Sequence, residues 1–287
     1  MALLGVVVNV ILSVIKVISG VVGNSYALIA DGVESLLDVF GSLIVWFGLR
    51  VASAPPDDEH PYGHGKAEVL TVFVVALVML GAAVFLAIES IDQIVTPHKL
   101  PAPFTLIVLL GVVVVKHLLF RRVLRLGGEL DSTVVKADAW HHYSDAITSA
   151  AAFIGITIAL IGGPGWESAD DWAALLACGI IAWNGISLFR PALLEVMDTA
   201  PSGEIEKEIR AIAMGVEGVQ VLEQCRIRKM GLDYYVDLHV GVDGKLSVRK
   251  GHDIAHAVRN AIRAAKPAVA DVLIHIEPED DMDDDGR

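Results

Sequence analysis

Long apolar runs separated by short polar segments dominate the first two thirds of the chain. Residues 69–88, 146–166 and 172–189 carry no charged side chain. Because a helix rises about 1.5 Å per residue, runs of this length cross most or all of a hydrocarbon core about 30 Å thick. The pattern predicts six membrane-spanning helices, at about 2–22, 26–50, 67–92, 104–122, 133–162 and 171–190.

Basic residues between the spans indicate their orientation. Six bases lie in the loops that follow spans two and four or at the span ends beside them, whereas the loops on the opposite side contain only Lys99. Cytoplasmic loops carry such an excess of Lys and Arg, so we expect a multi-pass protein of the cell (inner) membrane with both termini in the cytoplasm. The six bases are Arg50, Lys66, Arg121, Arg122, Arg125 and Lys136.

The pattern changes after Pro201. Apolar positions with helical spacing occur at 203–214 and 247–265, and alternating positions typical of strands occur at 219–228, 235–242 and 271–277. The order α-β-β-α-β predicts a small, ferredoxin-like α+β domain in the cytoplasm. The predicted organisation is a transmembrane domain (1–190), a linker (191–200), a cytoplasmic metal-binding and dimerisation domain (201–278) and an acidic disordered tail (279–287).

Composition and charge narrow the class of protein. Hydrophobic residues make up 54% of the 287 residues, which is too many for an ordinary soluble domain. The net charge is −13, and much of it lies in the seven acids of residues 277–287. The acidic balance argues against a nucleic-acid partner. Two cysteines are too few for a disulfide framework.

Ionisable residues inside the predicted spans are the main functional signal, because such groups are costly in lipid. Span two contains Asp31, Glu34 and Asp38, whose spacing places them on one helix face. Span five contains His141 and Asp145 at the same spacing of four. Residues 30–42 and 137–149 share one pattern, in which Asp31 corresponds to Asp138. Matched segments in two spans indicate a site between the halves of a transporter.

The cluster of Glu34, Asp38, His141 and Asp145 would combine three carboxylates with one imidazole at membrane depth. The carboxylates cannot all stay ionised in a low dielectric without cations, so they must bind protons or a metal. These ligands suit Zn²⁺, Fe²⁺, Co²⁺ or Mn²⁺, and metal and protons compete for the same lone pairs. The alternative is that a buried acid only bonds a neighbouring helix. Asp31 and Asp138 keep that structural interpretation, although a contribution of Asp31 to the site stays open.

Two further clusters lie outside the spans. Asp57, His60 and His64, in the loop after span two, could hold a metal at the membrane surface, although a polar turn shaped by Pro and Gly explains them equally well. In the cytoplasmic domain the candidate ligands are two histidines and one acid on strands and one histidine near the start of the second helix, and exposed histidines alone are a weak signal. These candidates are His239, His252, His275 and Glu277.

Three segments resemble the cation diffusion facilitator family across nearly the whole chain. They are ADGVESLLD at 30–38, DDEHPYGHGKAE at 57–68 and ADAWHHYSD at 137–145. The resemblance implies a homodimeric exporter that moves divalent transition metals out of the cytoplasm in exchange for protons. It implies a transport site at Glu34, Asp38, His141 and Asp145, a loop site at Asp57, His60 and His64, and cytoplasmic ligands at His239, His252, His275 and Glu277 that help hold the dimer together.

Two positions depart from the family pattern. Glu34 stands where His or Asp is common, which changes the radius of the site, and Glu223 stands where some members have His. Zn²⁺ is the first candidate metal, with Fe²⁺, Mn²⁺ and Co²⁺ as others, acting as substrate and regulatory ligand. The expected partners are a second copy of the chain, the lipid bilayer, metal ions and protons, with no prosthetic group.

Two other functions are compatible with buried ligands. A metal sensor that does not transport would use the cytoplasmic domain alone, but it would not need matched charges in two spans. An intramembrane metal-dependent hydrolase would use His and carboxylates around catalytic zinc. The sequence has no helical H-E-x-x-H motif, which counts against this enzyme and favours a secondary transporter.

Overall fold

The computed structural model describes residues 2–96, 99–129 and 133–279. Side chains of residues 2–6, 119, 122–124, 126–129, 133–144 and 146 are outside the described part. The elements are α1 (Ala2–Val22), α2 (Tyr26–Ala52), α3 (Lys66–Val95), α4 (Phe104–Glu129), α5 (Thr133–Gly162), α6 (Ser168–Val196), α7 (Gly203–Met214), β1 (Val221–Met230), β2 (Asp233–Val242), α8 (Val248–Ala265) and β3 (Val269–Pro278). Residues 280–287 of the predicted acidic tail lie outside the described residues.

The long helices α1 to α6 occupy the positions predicted for the spans. Within the described residues, α3 and α6 have the length and composition needed to cross a membrane. Shorter apolar stretches lie in three other helices, at Val7–Val22, Phe104–Leu118 and Ile147–Gly162. The count of six spans therefore stays a prediction.

The chain divides into two compact units, and the first comprises residues up to Trp46 together with Val74–Phe189. Large apolar side chains point outward from its helices, for example Phe85, Ile107 and Ile161. The same helices bury charged side chains in their interior, as the next section describes. Apolar groups outside and charged groups inside are the distribution expected of a helix bundle in lipid.

The start of α2 is fixed by an acid from another helix. Asp170, in the first turn of α6, accepts hydrogen bonds from the backbone N–H of Tyr26 at 2.6 Å and from the hydroxyl of Ser25 at 2.8 Å. The first N–H groups of a helix have no partner within it, so a carboxylate stabilises them. This cap ties α2 to α6 and fixes the depth of the acids on α2.

The cytoplasmic sheet has the order β1-β2-β3, with β1 antiparallel to β2 and β2 parallel to β3. The predicted apolar face of β2 is buried: Val236, Leu238 and Val240 are at most 1% exposed. They pack with apolar residues of α7 and α8, among them Ile209 and Val258. The predicted α-β-β-α-β domain is confirmed.

The second unit joins this domain to the segment Phe47–Phe73, which contains the loop between α2 and α3. The hydroxyl of Tyr235 donates to the backbone oxygen of Tyr62 at 2.9 Å. Gly65 and Gly231 approach so closely that a Cβ on Gly231 would lie 2.7 Å from the Gly65 oxygen. Gly231 also has a positive φ of 66°, which favours glycine. The loop is therefore packed on the β1–β2 hairpin, a contact that the sequence pattern did not predict.

Candidate metal sites

The acids of α2 lie in the interior of the helical unit. Asp31 and Glu34 are buried, and Asp38 is half-buried, because their spacing of three and four residues keeps them on one face. One carboxylate oxygen of Glu34, Oε2, is buried and has no hydrogen-bond partner among the described residues. A proton, a cation or an ordered water can satisfy a buried carboxylate oxygen of this kind.

Asp145 of α5 is also buried, and it forms an ion pair with Lys116 of α4. The structure therefore places an ammonium group directly on one of the predicted transport ligands. The side chain of His141, the fourth predicted ligand, lies outside the described part of α5. The structure thus places Glu34, Asp38 and Asp145 within the helical unit and leaves the complete four-ligand set a prediction.

Asp31 belongs to a separate network. Its Oδ2 lies 2.8 Å from Nζ of Lys16, and both of its oxygens accept from the hydroxyl of Ser149, at 3.0 and 2.9 Å. Lys16 also donates to Ser35 and Ser149. Since these bonds connect α1, α2 and α5 and satisfy the carboxylate, the geometry supports the structural role predicted for Asp31.

The two buried lysines, Lys16 and Lys116, were not predicted as part of a site. Only acids and histidines were expected to carry function within the spans, and basic residues indicated orientation alone. The signal was available, because a lysine within an apolar helix is as costly as an acid and requires a counter-charge. Spacing along the chain could not assign the pairs, since each lysine meets its aspartate from a different helix.

The loop cluster is assembled as predicted. The ligand atoms of Asp57, His60 and His64 all lie within 4.8 Å of one another. Nδ1 of His60 is 3.0 Å from Oδ1 of Asp57, and Nε2 of His64 is 3.5 Å from Oδ2. Two imidazoles and a carboxylate in this arrangement can supply three ligands to a transition metal. That this group binds metal remains a prediction.

The backbone of the loop also acts on Asp57. The N–H of His60 donates to Oδ1 of Asp57 at 2.6 Å, and this bond lowers the pKa of the Asp57 carboxyl below its usual value. The side chain is exposed to solvent, so the effect is local. The carboxylate is the form that binds a cation, and the lowered pKa extends its range to more acidic pH.

In the cytoplasmic domain the strand register assembles three of the four predicted ligands. His239 of β2 is paired directly with His275 of β3, and Glu277 lies two residues further along the same face. Oε1 of Glu277 is 2.8 Å from Nδ1 of His239 and 3.0 Å from Nδ1 of His275. Glu223 of β1 approaches His239 at 3.8 Å. Imidazole and carboxylate groups this close can share one metal ion.

The fourth predicted ligand, His252, is placed differently. It is exposed on α8, with its ring centroid 4.4 Å from that of His256. It lines the same surface cleft as Glu277, but it is outside the group formed by His239, His275 and Glu277.

A helical unit with buried acids and lysines, followed by a small domain with clustered His and acidic side chains, has the features expected of a membrane protein that handles metal cations. Residues 2–197 match the cation efflux transmembrane domain, and residues 201–279 match the cytoplasmic domain of cation efflux proteins. The chain belongs to the cation diffusion facilitator family of divalent metal transporters.

Several relatives match over most of this chain. The manganese efflux system protein MneP of Bacillus subtilis is 34% identical over 281 residues, covering 96% of this chain and 95% of the relative. The magnetosome protein MamM of Paramagnetospirillum magneticum is 33% identical, covering 90% and 81%. Metal tolerance protein C1 of Arabidopsis thaliana is 31% identical, covering 96% and 61%. The solved structure "MamM-CTD 215-293" aligns with 26% of this chain and 95% of its own, at 27% identity and a TM-score of 0.26.

Proposed function

We propose that this protein exports a divalent transition metal from the cytoplasm across the cell (inner) membrane in exchange for protons. The buried Oε2 of Glu34, which has no hydrogen-bond partner in the described part of the chain, is the observation that carries the proposal. Such an oxygen requires a bound proton or a bound cation, and a metal/proton exchanger supplies each in turn.

The proposed cycle uses the four ligands predicted from the sequence. Cytoplasmic metal displaces protons from them, the helices rearrange to open the site outward, and incoming protons then displace the metal. The inward proton gradient drives the cycle. The ligands are Glu34, Asp38, His141 and Asp145.

For the cargo we propose Mn²⁺ ahead of Zn²⁺, the metal that the sequence analysis placed first. Three carboxylates and a single imidazole are a mainly oxygen-donor set, which suits Mn²⁺ and Fe²⁺ better than the nitrogen- and sulfur-rich sets typical of zinc. A relative that is 34% identical over nearly its full length is named for manganese efflux. Fe²⁺, Zn²⁺ and Co²⁺ are the competing cargoes.

Proteoliposomes loaded with a pH-sensitive dye test the function and identify the cargo together. We expect Mn²⁺ uptake with opposing proton flux, and slower flux with Zn²⁺ or Fe²⁺. Asp38→Ala should abolish transport without disturbing the folded dimer, whereas Asp253→Ala, on the exposed face of α8, should transport at the normal rate. Metal binding without any flux would contradict export and favour a metal sensor.

We also propose that the cytoplasmic domain regulates the homodimer. Metal bound by His239, His275 and Glu277 would bring the two copies of this domain closer and bias the helices toward transport. The pairing of His239 with His275 across adjacent strands supports this role, because strands hold the ligands together before metal arrives. His252 and the loop group of Asp57, His60 and His64 are further candidate ligands.

A further inference from the structure

Lys116 is a fully buried lysine in the middle of an apolar helix. Its residue is 1% exposed, and it lies on the same face of α4 as the buried Leu109 and Val112. Burying an ammonium group is costly unless an opposite charge compensates it. In the described part of the chain its partner is Asp145, the α5 carboxylate that the proposed function assigns to the metal.

The other buried lysine of the helical unit behaves differently. Lys16 is held by three acceptors, on Asp31, Ser35 and Ser149, and Asp31 in turn accepts from Ser149. That network is closed and contains no predicted transport ligand. Lys116, by contrast, has one partner among the described residues, at the end of a flexible four-carbon chain. An ammonium held by one bond can leave its partner more readily than one held by three.

The two ion pairs also bear on how Asp145 could bind a cation. Lys16 neutralises Asp31, and Lys116 neutralises Asp145. When Lys116 leaves Asp145, that carboxylate regains its negative charge and can join Glu34 and Asp38 in binding a divalent ion. For Asp145 to bind that ion, it must therefore exchange its ammonium partner for the metal.

We propose that Lys116 is a tethered counter-cation of the transport site. Its ammonium holds Asp145 when no metal is bound, is displaced when the metal coordinates Asp145, and returns as the metal leaves. Lys116 is not a ligand, because an ammonium group has no lone pair to offer. It is a positioning residue that lowers the affinity for metal and promotes release. This inference rests on the proposed function, since it takes Asp145 as a ligand.

A double-mutant cycle in proteoliposomes tests the inference by separating half-saturating Mn²⁺ concentration from maximal rate. Lys116→Met removes the competing charge, so we expect the half-saturating concentration to fall about tenfold or more and the maximal rate to fall as release slows. Lys116→Arg keeps the charge and should stay within about threefold of the wild type. A Lys116→Met variant that folds but binds Mn²⁺ no more tightly than the wild type overturns the proposal.

The Asp145 variants keep the test decisive even if Lys116→Met alone does not fold. Asp145→Asn removes a ligand and leaves Lys116 unopposed, so transport should require a far higher Mn²⁺ concentration or be lost. The double variant Asp145→Asn with Lys116→Met removes both buried charges, an exchange that proteins tolerate. It should recover about tenfold of the affinity that Asp145→Asn lost, whereas a purely structural lysine would give no recovery.

The double-mutant cycle distinguishes failure of the proposed transport site from failure of the role proposed for Lys116. Normal transport by Asp145→Asn removes Asp145 from the transport site, and both the site assignment and the lysine inference fail. Impaired transport by Asp145→Asn without recovery in the double variant overturns the lysine inference alone and leaves the proposed function standing. Size-exclusion elution and melting temperature, measured for each variant, establish that the compared proteins are folded.

Discussion

The buried acids of the helical unit differ in how their charges are compensated. Lys16 and Ser149 satisfy Asp31, and Lys116 satisfies Asp145. Glu34 differs, because one of its buried oxygens has no hydrogen-bond partner among the described residues. Buried polar groups in folded proteins nearly always have partners, so this oxygen is where we propose that cargo or protons bind.

Glu34→Gln isolates the charge of this residue from its shape. The amide fills the same space, so we expect a melting temperature no lower than that of the wild type. Loss of one unit charge at contact distance in a partly buried site is worth about 3 kcal/mol or more, so the half-saturating Mn²⁺ concentration should rise at least about 100-fold. Glu89→Gln, the same change in a half-buried acid of α3, is the control. Equal transport by the two variants would remove Glu34 from the site.

Cys225 provides a residue-scale test of the cytoplasmic sheet. Its position on β1 opposite Leu238 partly buries it, and this burial raises the pKa of the thiol to about 11. Alkylation requires the thiolate, so at pH 8 iodoacetamide should react about 100 times more slowly than with an exposed thiol. The measurement uses Cys178→Ser, with the urea-unfolded chain as reference. If Cys225 is alkylated in the folded protein at a rate within about tenfold of that in the unfolded chain, the placement of β1 is contradicted.

Some features of the helices and strands could be predicted from the sequence, and others could not. The strands of the cytoplasmic domain were predicted because alternation reports directly which face is buried, as for Val236 and Leu238. Burial of the acids in the long helices could be anticipated because a charge stands out in an apolar helix, as for Glu34 and Asp145. A structural role for Asp31 was predicted beside a ligand role for Glu34, but the partner of Asp31 was not, because Lys16 approaches it from another helix.

The packing of the loop on the β1–β2 hairpin was equally hidden from the sequence. It depends on Gly65 and Gly231, which have no side chains to carry a hydrophobic pattern and lie far apart in the chain. The Tyr62–Tyr235 contact beside them involves a backbone oxygen, which residue identity does not reveal. Contacts made by backbone groups depend on the folded conformation and not on side-chain type. They therefore cannot be predicted from the pattern of residue types.

Gly231→Ala should disrupt this packing. The added methyl group would meet the Gly65 oxygen at 2.7 Å, and alanine is strained at a φ of 66°. We expect a loss of about 1–3 kcal/mol in stability, measured by thermal unfolding of the full-length protein. Gly203→Ala, at the start of α7 where a Cβ meets no atom within 4 Å, is the matched control and should cost nothing measurable. Equal melting temperatures for the two variants would contradict the contact.

At the scale of the whole molecule, the division into units changes how regulation should be tested. The loop segment Phe47–Phe73 and all residues from Arg190 onward form one unit, so the two candidate metal groups outside the helical unit share it. Deleting residues 201–287 would remove Tyr235 and Gly231, the packing partners of the loop, together with His239 and its neighbours. A truncation therefore removes both the packing of the loop and the candidate metal ligands. A point substitution removes only one of the two.

His275→Ala removes one candidate metal ligand of the cytoplasmic domain and leaves the loop contacts in place. If metal bound there biases the dimer toward transport, the half-saturating Mn²⁺ concentration should rise about 5- to 150-fold, the range of common coupling energies, with an unchanged maximal rate. Deletion of residues 201–287 should raise the same concentration and also lower the maximal rate, because the loop between α2 and α3 loses its support. Asp253→Ala serves as the surface control for both. If His275→Ala has the same Mn²⁺ concentration dependence as the wild type, the group of His239, His275 and Glu277 is structural and does not regulate transport. If the truncated protein has the same half-saturating concentration and maximal rate as His275→Ala, the loop contributes nothing to turnover.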